Sequence, residues 1–278
     1  MSDAARLRVG MNARLFPGAW RPAREEIAFA QTAGFDGLQF PGEADGLSVA
    51  RLGDTPEAVG ATLRDAGLFA VMELLFLLRP DGRLAANGKT PLEAFRANVP
   101  AIVALGCNPV HWHLAVSPSD PEAHDAAPFI EENVQEQFRE AVQIAREHGF
   151  VLGFEHNDRA NPLFSAPESC ARLLEAVPDL GFVWDLNHTA PDDFDATMPL
   201  LARVQMLHLS DTPLPDTNHH LPLGLGTLPV AAYLQHLPST FRGPAILEIG
   251  GLPKSGGYGR DTDAALRDSL EHLRRADL

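Results

Sequence analysis

The chain is poor in cysteine, with only Cys107 and Cys170 among its 278 residues. The two have no spacing typical of a metal site. A single disulfide between them is compatible with the sequence, but two free thiols in a reducing cytosol are the simpler interpretation. We therefore expect a cytoplasmic protein.

Long apolar runs are also missing. None approaches the roughly 20 residues that span a bilayer. Residues 1–8 show neither the apolar core nor the cleavage pattern of a signal peptide. These absences predict no membrane partner.

Basic residues are scarce: 22 Lys and Arg stand against 37 Asp and Glu, a formal charge of −15. Binding to the phosphates of a nucleic acid requires a basic face, so we expect no nucleic-acid partner. The acidic balance suits a protein that handles neutral ligands or ligands bound through a cation.

The chain does contain a repeated strand-then-helix pattern and enough apolar residues, 45%, for a sizeable core. Eight units follow one another with a mean period of about 35 residues, which indicates a closed parallel barrel rather than an open sheet. One such barrel needs about 250 residues. We predict an α/β fold, a single (β/α)8 TIM-barrel domain over residues 1–278.

The limits of the elements follow from apolar runs, prolines at helix starts and glycines after helix ends. The predicted strands are residues 7–11, 36–40, 68–76, 109–116, 151–155, 180–185, 204–209 and 245–249. The predicted helices are residues 22–33, 55–66, 91–105, 130–148, 166–177, 193–203, 228–237 and 261–276. Loops are predicted at 79–90, 117–128 and 211–226, and the second is long enough to lie over a site.

Four successive predicted strands end in a polar residue: Glu155, Asp185, His208 and Glu248. Barrel enzymes carry their active sites at this end of the strands. Side chains alternate in direction along a strand, and an inward orientation of all four leaves larger residues such as Phe154 and Trp184 facing the helices. Carboxylate oxygens plus one imidazole suit Mg²⁺, Mn²⁺ or Zn²⁺.

The alternative is that these residues form separate salt bridges or polar groups inside the barrel. Four of them at equivalent strand ends favour one shared metal ion, because a buried charge without compensation is costly. We predict that Glu155, Asp185, His208 and Glu248 bind one divalent ion and that this ion handles a small, oxygen-rich substrate.

The motifs around these residues resemble the xylose isomerase-like superfamily of barrels, and within it the sugar isomerase and epimerase branch. The resemblance covers nearly the whole chain and rests on five segments: Gly153–Asn157, Trp184–His188, Leu207–Asp211, His220–Gly226 and Leu247–Ile249. It implies that the four rim residues hold one ion, often Mn²⁺, Mg²⁺ or Co²⁺.

The resemblance also implies an activity: isomerisation or epimerisation of a small sugar or keto-sugar through a metal-stabilised enediolate. Glu155 and Glu248 are then the catalytic pair, one removing a proton next to a carbonyl and the other returning one. His188 and His220 are implied to contact the substrate, although His219 competes with His220 for that assignment. Relatives are often dimers or tetramers, so we expect a homodimer or homotetramer.

Strand four adds His113, which lies near the rim and is a further candidate for substrate binding; His111 on the same face is at least as well explained as a core histidine. Trp112 is expected to pack against helices. We also favour plain packing for four other residues near the pocket: Phe16, Trp20, Glu73 and Phe76.

Three departures from relatives limit the functional prediction. The superfamily includes nucleases with three zinc ions, but strand three offers no histidine and Asn218 replaces an aspartate two residues before His220. Gln39 stands where many sugar-handling relatives have glutamate.

Segment 250–257, with Lys254, is compatible with either a phosphate site or a flexible lid.

Two other functions remain open. A lyase, such as a dehydratase of an inosose or keto-sugar, would share the metal and the first proton abstraction. A non-catalytic sugar-binding barrel would keep the ligands without turnover.

Overall fold

The computed structural model describes residues 7–15, 20–117, 120–250 and 261–276. Eight parallel strands close into a barrel in chain order, and the eighth pairs with the first. They are β1 (Arg8–Asn12), β2 (Gly37–Pro41), β3 (Phe69–Leu78), β4 (Cys107–Val116), β5 (Leu152–Glu155), β6 (Gly181–Asp185), β7 (Val204–Leu209) and β8 (Pro244–Leu247). The predicted (β/α)8 fold is confirmed.

Helices lie between and around the strands. They are α1 (Ala23–Ala33), α2 (Val49–Leu52), α3 (Pro56–Ala66), α4 (Pro91–Leu105), α5 (Pro121–Asp125), α6 (Ala127–His148), α7 (Pro167–Ala176), α8 (Phe194–Thr197), α9 (Val230–Leu234) and α10 (Asp263–Arg275). The predicted limits of α4 are matched because a capping box of Thr90 and Glu93 begins the helix and Gly106 ends it in a left-handed conformation.

The prediction of one continuous helix over residues 193–203 is wrong. The chain forms α8 between two 3₁₀ segments, Pro191–Asp193 and Met198–Arg203. Pro199 has no N–H and its ring opposes a continuous α-helix. The short helices α2 and α5 were not predicted, and β3 and β4 are longer than expected.

One part of the core lies between the strands and the helices. Trp112 is fully buried, and its ring contacts Phe95 of α4 and Phe138 of α6. The predictions that Trp112 and Phe76 pack are confirmed. The prediction for Trp20 is wrong, because its side chain is 45% exposed and donates a hydrogen bond to the Arg51 carbonyl.

A second apolar layer fills the inside of the barrel and is formed by Val71, Val183, Met206 and Ile246. Each of these residues is followed two positions later by a polar residue: Glu73, Asp185, His208 and Glu248. Because side chains alternate along a strand, the polar groups face inward as well, one layer nearer the carboxyl ends of the strands. The apolar layer therefore forms the floor beneath them.

Cys107 and Cys170 are both buried and free, as the sequence predicted. Burial raises the pKa of both thiols. Among the described residues, no helix is long and apolar enough to cross a membrane. Phe16 and positions 251–257 of the predicted lid or phosphate segment lie outside the described residues.

Candidate metal centre and substrate pocket

The four predicted metal ligands come together at the carboxyl ends of the last four strands. One ligand atom from each of Glu155, Asp185, His208 and Glu248 lies within 4.8 Å of the others. The first three side chains are fully buried, and that of Glu248 is 15% exposed. β8 ends at Leu247, so Glu248 follows the strand, where its N–H donates to the Leu209 carbonyl.

Three carboxylates at this spacing, two of them fully buried, repel one another unless a positive charge lies between them. Burial raises the pKa of Asp185 to about 7, and the charges of Glu155 and Glu248 add to the rise although His220 opposes it. Asp185 Oδ2 is buried and has no hydrogen-bond partner among the described residues. An oxygen-rich donor set with one imidazole and an unsatisfied carboxylate oxygen fits a divalent cation.

The orientation of His208 is set by residues from β2 and β3. Gln39 Nε2 donates to Glu73 Oε2 at 3.0 Å, so Gln39 Oε1 accepts from His208 Nε2 at 2.9 Å. His208 Nδ1 then faces Glu155 Oε1 at 3.2 Å and Glu248 Oε2 at 2.9 Å. A proton and a divalent ion are alternative occupants of that nitrogen. Burial opposes the protonated form, but the two glutamates outweigh it and raise the pKa of His208.

The hydrogen bonds that orient His208 are part of a network that continues to β4 and ends at backbone carbonyls. Asn157 Nδ2 donates to the carbonyls of Leu114 and Leu163, both at 2.7 Å. Its Oδ1 must therefore accept from His113 Nε2, at 2.9 Å, while His113 Nδ1 donates to Glu73 Oε1 at 3.1 Å. With both nitrogens donating, His113 is an imidazolium. Burial would lower the pKa of His113, but the charges of Glu155 and Glu73 outweigh it and raise the pKa to about 10.

Replacing Gln39 with methionine is expected to weaken Mn²⁺ binding by about 10–100-fold, the usual cost of losing a group that orients a metal-binding histidine. The variant keeps the side-chain length but leaves His208 Nε2 without its acceptor. Isothermal titration with Mn²⁺ measures the change. Gln143→Met is the matched control, because Gln143 also donates to a glutamate, Glu147, but on the exposed face of α6. Equal affinities in wild type and Gln39→Met would show that other contacts orient His208.

A pocket of about 490 Å³ opens over the cluster. Ligand sites in proteins measure roughly 300–1,000 Å³, so the pocket has room for a small molecule. Glu248, His188, His220 and His113 line it, whereas Glu155, Asp185 and His208 lie beneath its surface. The two predicted catalytic residues therefore differ in their access to the pocket: Glu248 reaches it directly, and Glu155 is covered.

His188 lines the pocket, and both of its ring nitrogens lie near other polar groups of the chain. Its Nδ1 donates to the His156 carbonyl at 2.9 Å, and its Nε2 lies 3.4 Å from Asp185 Oδ2. Burial lowers the pKa of His188, which favours the neutral ring. His220 is held by its Nδ1, which donates to the Glu248 carbonyl at 3.0 Å. His219 does not line the pocket.

Sequence reasoning missed several polar residues of the site. Glu73 was expected to pack, but its carboxylate lines the pocket and accepts from Gln39 and His113. Asn12 also lines the pocket and donates to Glu248 Oε1 at 3.2 Å. Glu73 carried one signal, a charged residue in an apolar strand on the inward face. His111 is fully buried, as expected of a core histidine, and lies 3.2 Å from Glu155 Oε2.

Solved structures share this architecture at low sequence identity. D-allulose 3-epimerase from Methylomonas sp., in complex with D-allulose, gives a TM-score of 0.75 at 18% identity over 98% of this chain and 97% of that chain. The probable 3-DHS dehydratase AsbF of Bacillus anthracis gives 0.71 at 18% over 96% and 99%. A xylose isomerase-like TIM barrel protein from Mycobacterium smegmatis, in complex with magnesium, gives 0.70 at 16% over 100% and 98%.

A comparison with curated proteins finds no match. At the identities of the solved structures, the likeness shows a shared fold. The family model described as xylose isomerase-like TIM barrel matches residues 27–276. This range includes β2 to β8 and all four residues of the candidate metal centre. The chain therefore belongs to the xylose isomerase-like TIM barrel family.

Proposed function

We propose that this protein is a divalent-metal-dependent isomerase or epimerase of a small sugar or keto-sugar. The observation that carries the proposal is the cluster of Glu155, Asp185, His208 and Glu248 within 4.8 Å beneath a pocket for a small molecule. The similar fold of an enzyme solved with D-allulose and of a protein solved with magnesium supports it.

When bound, the ion would act as a Lewis acid toward the substrate's carbonyl and hydroxyl oxygens. Manganese, magnesium, cobalt and zinc all suit the donor set, and we propose one ion per chain. Glu155, Asp185, His208 and Glu248 would hold it.

The residues of the chain would move the protons. Glu248, ionised and at the pocket surface, would remove a proton from the carbon next to the carbonyl. We propose that Glu155 serves the opposite transfer, although it is covered in this structure. Return of a proton to the opposite face of the same carbon inverts the centre. Return to the former carbonyl carbon, with transfer of the hydroxyl proton from one oxygen to the other, moves the carbonyl.

The substrate's hydroxyl groups would bind to the histidines of the rim. Neutral His188 is held at the pocket by the His156 carbonyl, and His220 is held at the pocket edge by the Glu248 carbonyl. His113 has both nitrogens engaged by Glu73 and Asn157, so we propose that it acts on the substrate as a fixed positive charge more than as a hydrogen-bond donor.

A lyase is the second candidate, and the likeness to a probable dehydratase favours keeping it. The two reactions share the first proton abstraction. They differ in the next step: the enolate either takes a proton back, or it expels the hydroxyl group of the carbon on its far side, which leaves as water with the proton that the base took up. The nuclease alternative is less favoured, because Asn218 takes the place of an aspartate and no Lys or Arg lines the described part of the pocket.

The experiment is proton exchange with solvent. Protein loaded with Mn²⁺ is incubated in D₂O with ketoses, inososes and keto-glycosides, and the products are followed by NMR. We expect deuterium at the carbon next to the carbonyl, loss of exchange after chelation and recovery on adding Mn²⁺. An unsaturated product would identify the lyase. Sugar binding without exchange in any member of the panel would contradict an enzyme and favour the binding barrel.

Other predictions concern the protein as a whole. We propose that residues 1–278 form one domain. Action in the cytoplasm, assembly as a homodimer or homotetramer and the absence of nucleic-acid or membrane partners stay predictions from the sequence.

A further inference from the structure

The substrate pocket has two unlike sides. The half that follows β5 to β8 is polar and includes Asn157, Asp158 and His220. The half formed by β2 to β4 carries apolar side chains above Gln39 and Glu73: Pro41, Leu75, Leu77 and Ala115. The metal cluster belongs to the polar half, so an oxygen-rich end of a substrate would lie there.

The apolar half of the pocket is formed where β3 and β4 extend beyond the neighbouring strands. β4 pairs with β5 only as far as His113, whereas β3 and β4 continue together through Leu77 opposite Ala115 to Leu78 opposite Val116. The strands thus rise above the rest of the rim as a two-stranded ribbon, residues 76–78 and 114–116, and Leu75 lies at its base opposite His113. Along β3, Leu75 and Leu77 share the inward face of Glu73 because side chains alternate.

Both leucines are far more exposed than is usual for apolar residues of a strand: Leu75 is 60% exposed and Leu77 is 45% exposed. Their alternating neighbours Leu74 and Phe76 are buried against the helices. At 3.3 Å per residue, Leu75 and Leu77 lie roughly 7 and 13 Å along the strand from Glu73.

The ribbon holds the leucines in place. The Ala85 N–H donates to the Leu77 carbonyl at 2.8 Å, and Leu78 bridges to Leu84 in the following turn. An apolar surface that is already ordered loses little side-chain freedom when a ligand covers it. The leucines face the same pocket as Glu248 and His188 rather than the outer surface of the barrel, which favours a substrate group over a second copy of the chain as the occupant.

We propose that the natural substrate is a sugar or keto-sugar that carries an uncharged apolar substituent, and that Leu75 and Leu77 bind this substituent. The inference rests on the proposed function and adds the substrate class to it. Charge argues against an anionic substituent, because Glu73, Asp158 and Asp261 line the pocket and no Lys or Arg does so among the described residues. The two leucines argue against a cationic one, since an apolar surface would leave its charge without a partner.

Two compounds that differ only in the apolar group test the proposal: methyl and phenyl 3-keto-β-D-glucopyranoside. With Mn²⁺-loaded protein, we expect the phenyl compound to bind at least about tenfold more tightly by isothermal titration, since an added methylene in an apolar pocket already gives about 10-fold or more. In the double variant Leu75→Asn, Leu77→Asn, the ratio should fall to near one. Leu225→Asn is the matched control, because Leu225 is 62% exposed but does not line the pocket.

Three outcomes would overturn the inference. The first is equal binding of both compounds, or binding of neither while simple ketoses exchange deuterium. The second is a ratio that the double variant leaves unchanged. The third is a change of oligomeric state: sedimentation would show a dimer for the wild type and a monomer for the double variant, while the ratio of the two affinities stays the same. That result would assign the leucines to a subunit interface. Preference for the phenyl compound without deuterium exchange would instead retain the apolar site and reject the proposed function.

Discussion

Glu248→Gln is expected to lower turnover by about 10²–10⁴-fold, which is the contribution of a positioned acid or base. The glutamine keeps the shape of the side chain and the acceptor for Asn12, but it cannot take up a proton. Burial opposes ionisation of Glu248, yet His208 at 2.9 Å outweighs it and lowers the pKa of the carboxyl. The group is therefore ionised, which is the form that a proton acceptor requires. The measurement is deuterium exchange at saturating Mn²⁺, so that a lost ligand is not mistaken for a lost base.

Glu155→Gln tests whether Glu155 is only a metal ligand or also transfers a proton. The carboxylate of Glu155 is fully buried and contacts His111, His113 and His208. Burial opposes its ionisation, but His113 and His208 lower its pKa well below the ordinary value. We expect a larger loss of Mn²⁺ affinity than in Glu248→Gln. If Glu155 also transfers a proton, saturating Mn²⁺ will not restore turnover; if it is only a ligand, turnover will return.

The control for both variants is Glu175→Gln, an exposed glutamate of α7. Its turnover should match that of the wild type. Retention of more than a tenth of wild-type turnover in Glu248→Gln would rule out Glu248 as the proton acceptor. The pocket would then have to offer another base, and Glu73 is the remaining glutamate that lines the described part of it.

The inward face of each strand could be predicted because it depends on local alternation. Val183 precedes Asp185 by two residues, and Met206 precedes His208 by two. A pattern of period two therefore shows which residues share a face, and parallel strands place their carboxyl ends together. The four candidate ligands and the barrel fold could thus be read from the sequence before any contact was known.

The partners of those residues could not be predicted in the same way. His208 and Gln39 are 169 residues apart, and Asn12 and Glu248 are 236 apart. Local spacing carries no information on which side chain on one side of a barrel meets which side chain on the other. Glu73 shows the result: its strand and its face could be read, but its bonds to Gln39 and His113 depend on the curvature of the closed sheet.

Asp185→Asn is expected to remove the bound ion. Protein purified without chelator should contain about one divalent ion per chain by mass spectrometry, and the variant should contain almost none. The asparagine removes one of three negative charges and replaces an oxygen that makes no hydrogen bond among the described residues. The affinity for Mn²⁺ should fall by more than the 10–100-fold that a group outside the ligand shell contributes.

Thermal unfolding gives a second measure. An ion at 100 times its dissociation constant adds about 2.7 kcal/mol to the free energy of unfolding, which in a chain of this size raises the melting temperature by roughly 5 °C. Mn²⁺ should produce that rise in the wild type and in Asp65→Ala, where an exposed aspartate of α3 is removed. It should produce no rise in Asp185→Asn.

The pH dependence of Mn²⁺ binding follows from the same carboxyl group. Burial, with Glu155 and Glu248, raises the pKa of Asp185 to about 7 in the metal-free protein, so below that pH an ion must displace a proton. Affinity should therefore rise with pH through about 7 as Asp185 loses its proton, and the rise should continue above that pH because the pKa of His208, whose Nδ1 also exchanges a proton for the ion, is raised by Glu155 and Glu248. In Asp185→Asn, the part of this rise due to Asp185 should be lost.

Stability without metal distinguishes a ligand from a structural salt bridge. If Asp185 serves mainly as a ligand, its charge is a cost in the metal-free protein, because it is buried beside two other carboxylates. Asp185→Asn should then be at least as stable as the wild type in the presence of EDTA and less stable in Mn²⁺. A variant that is less stable in both conditions would identify a structural role.

About three zinc ions per wild-type chain would point instead to the nuclease arrangement, with Asp185, His188 and His220 as one of the additional groups.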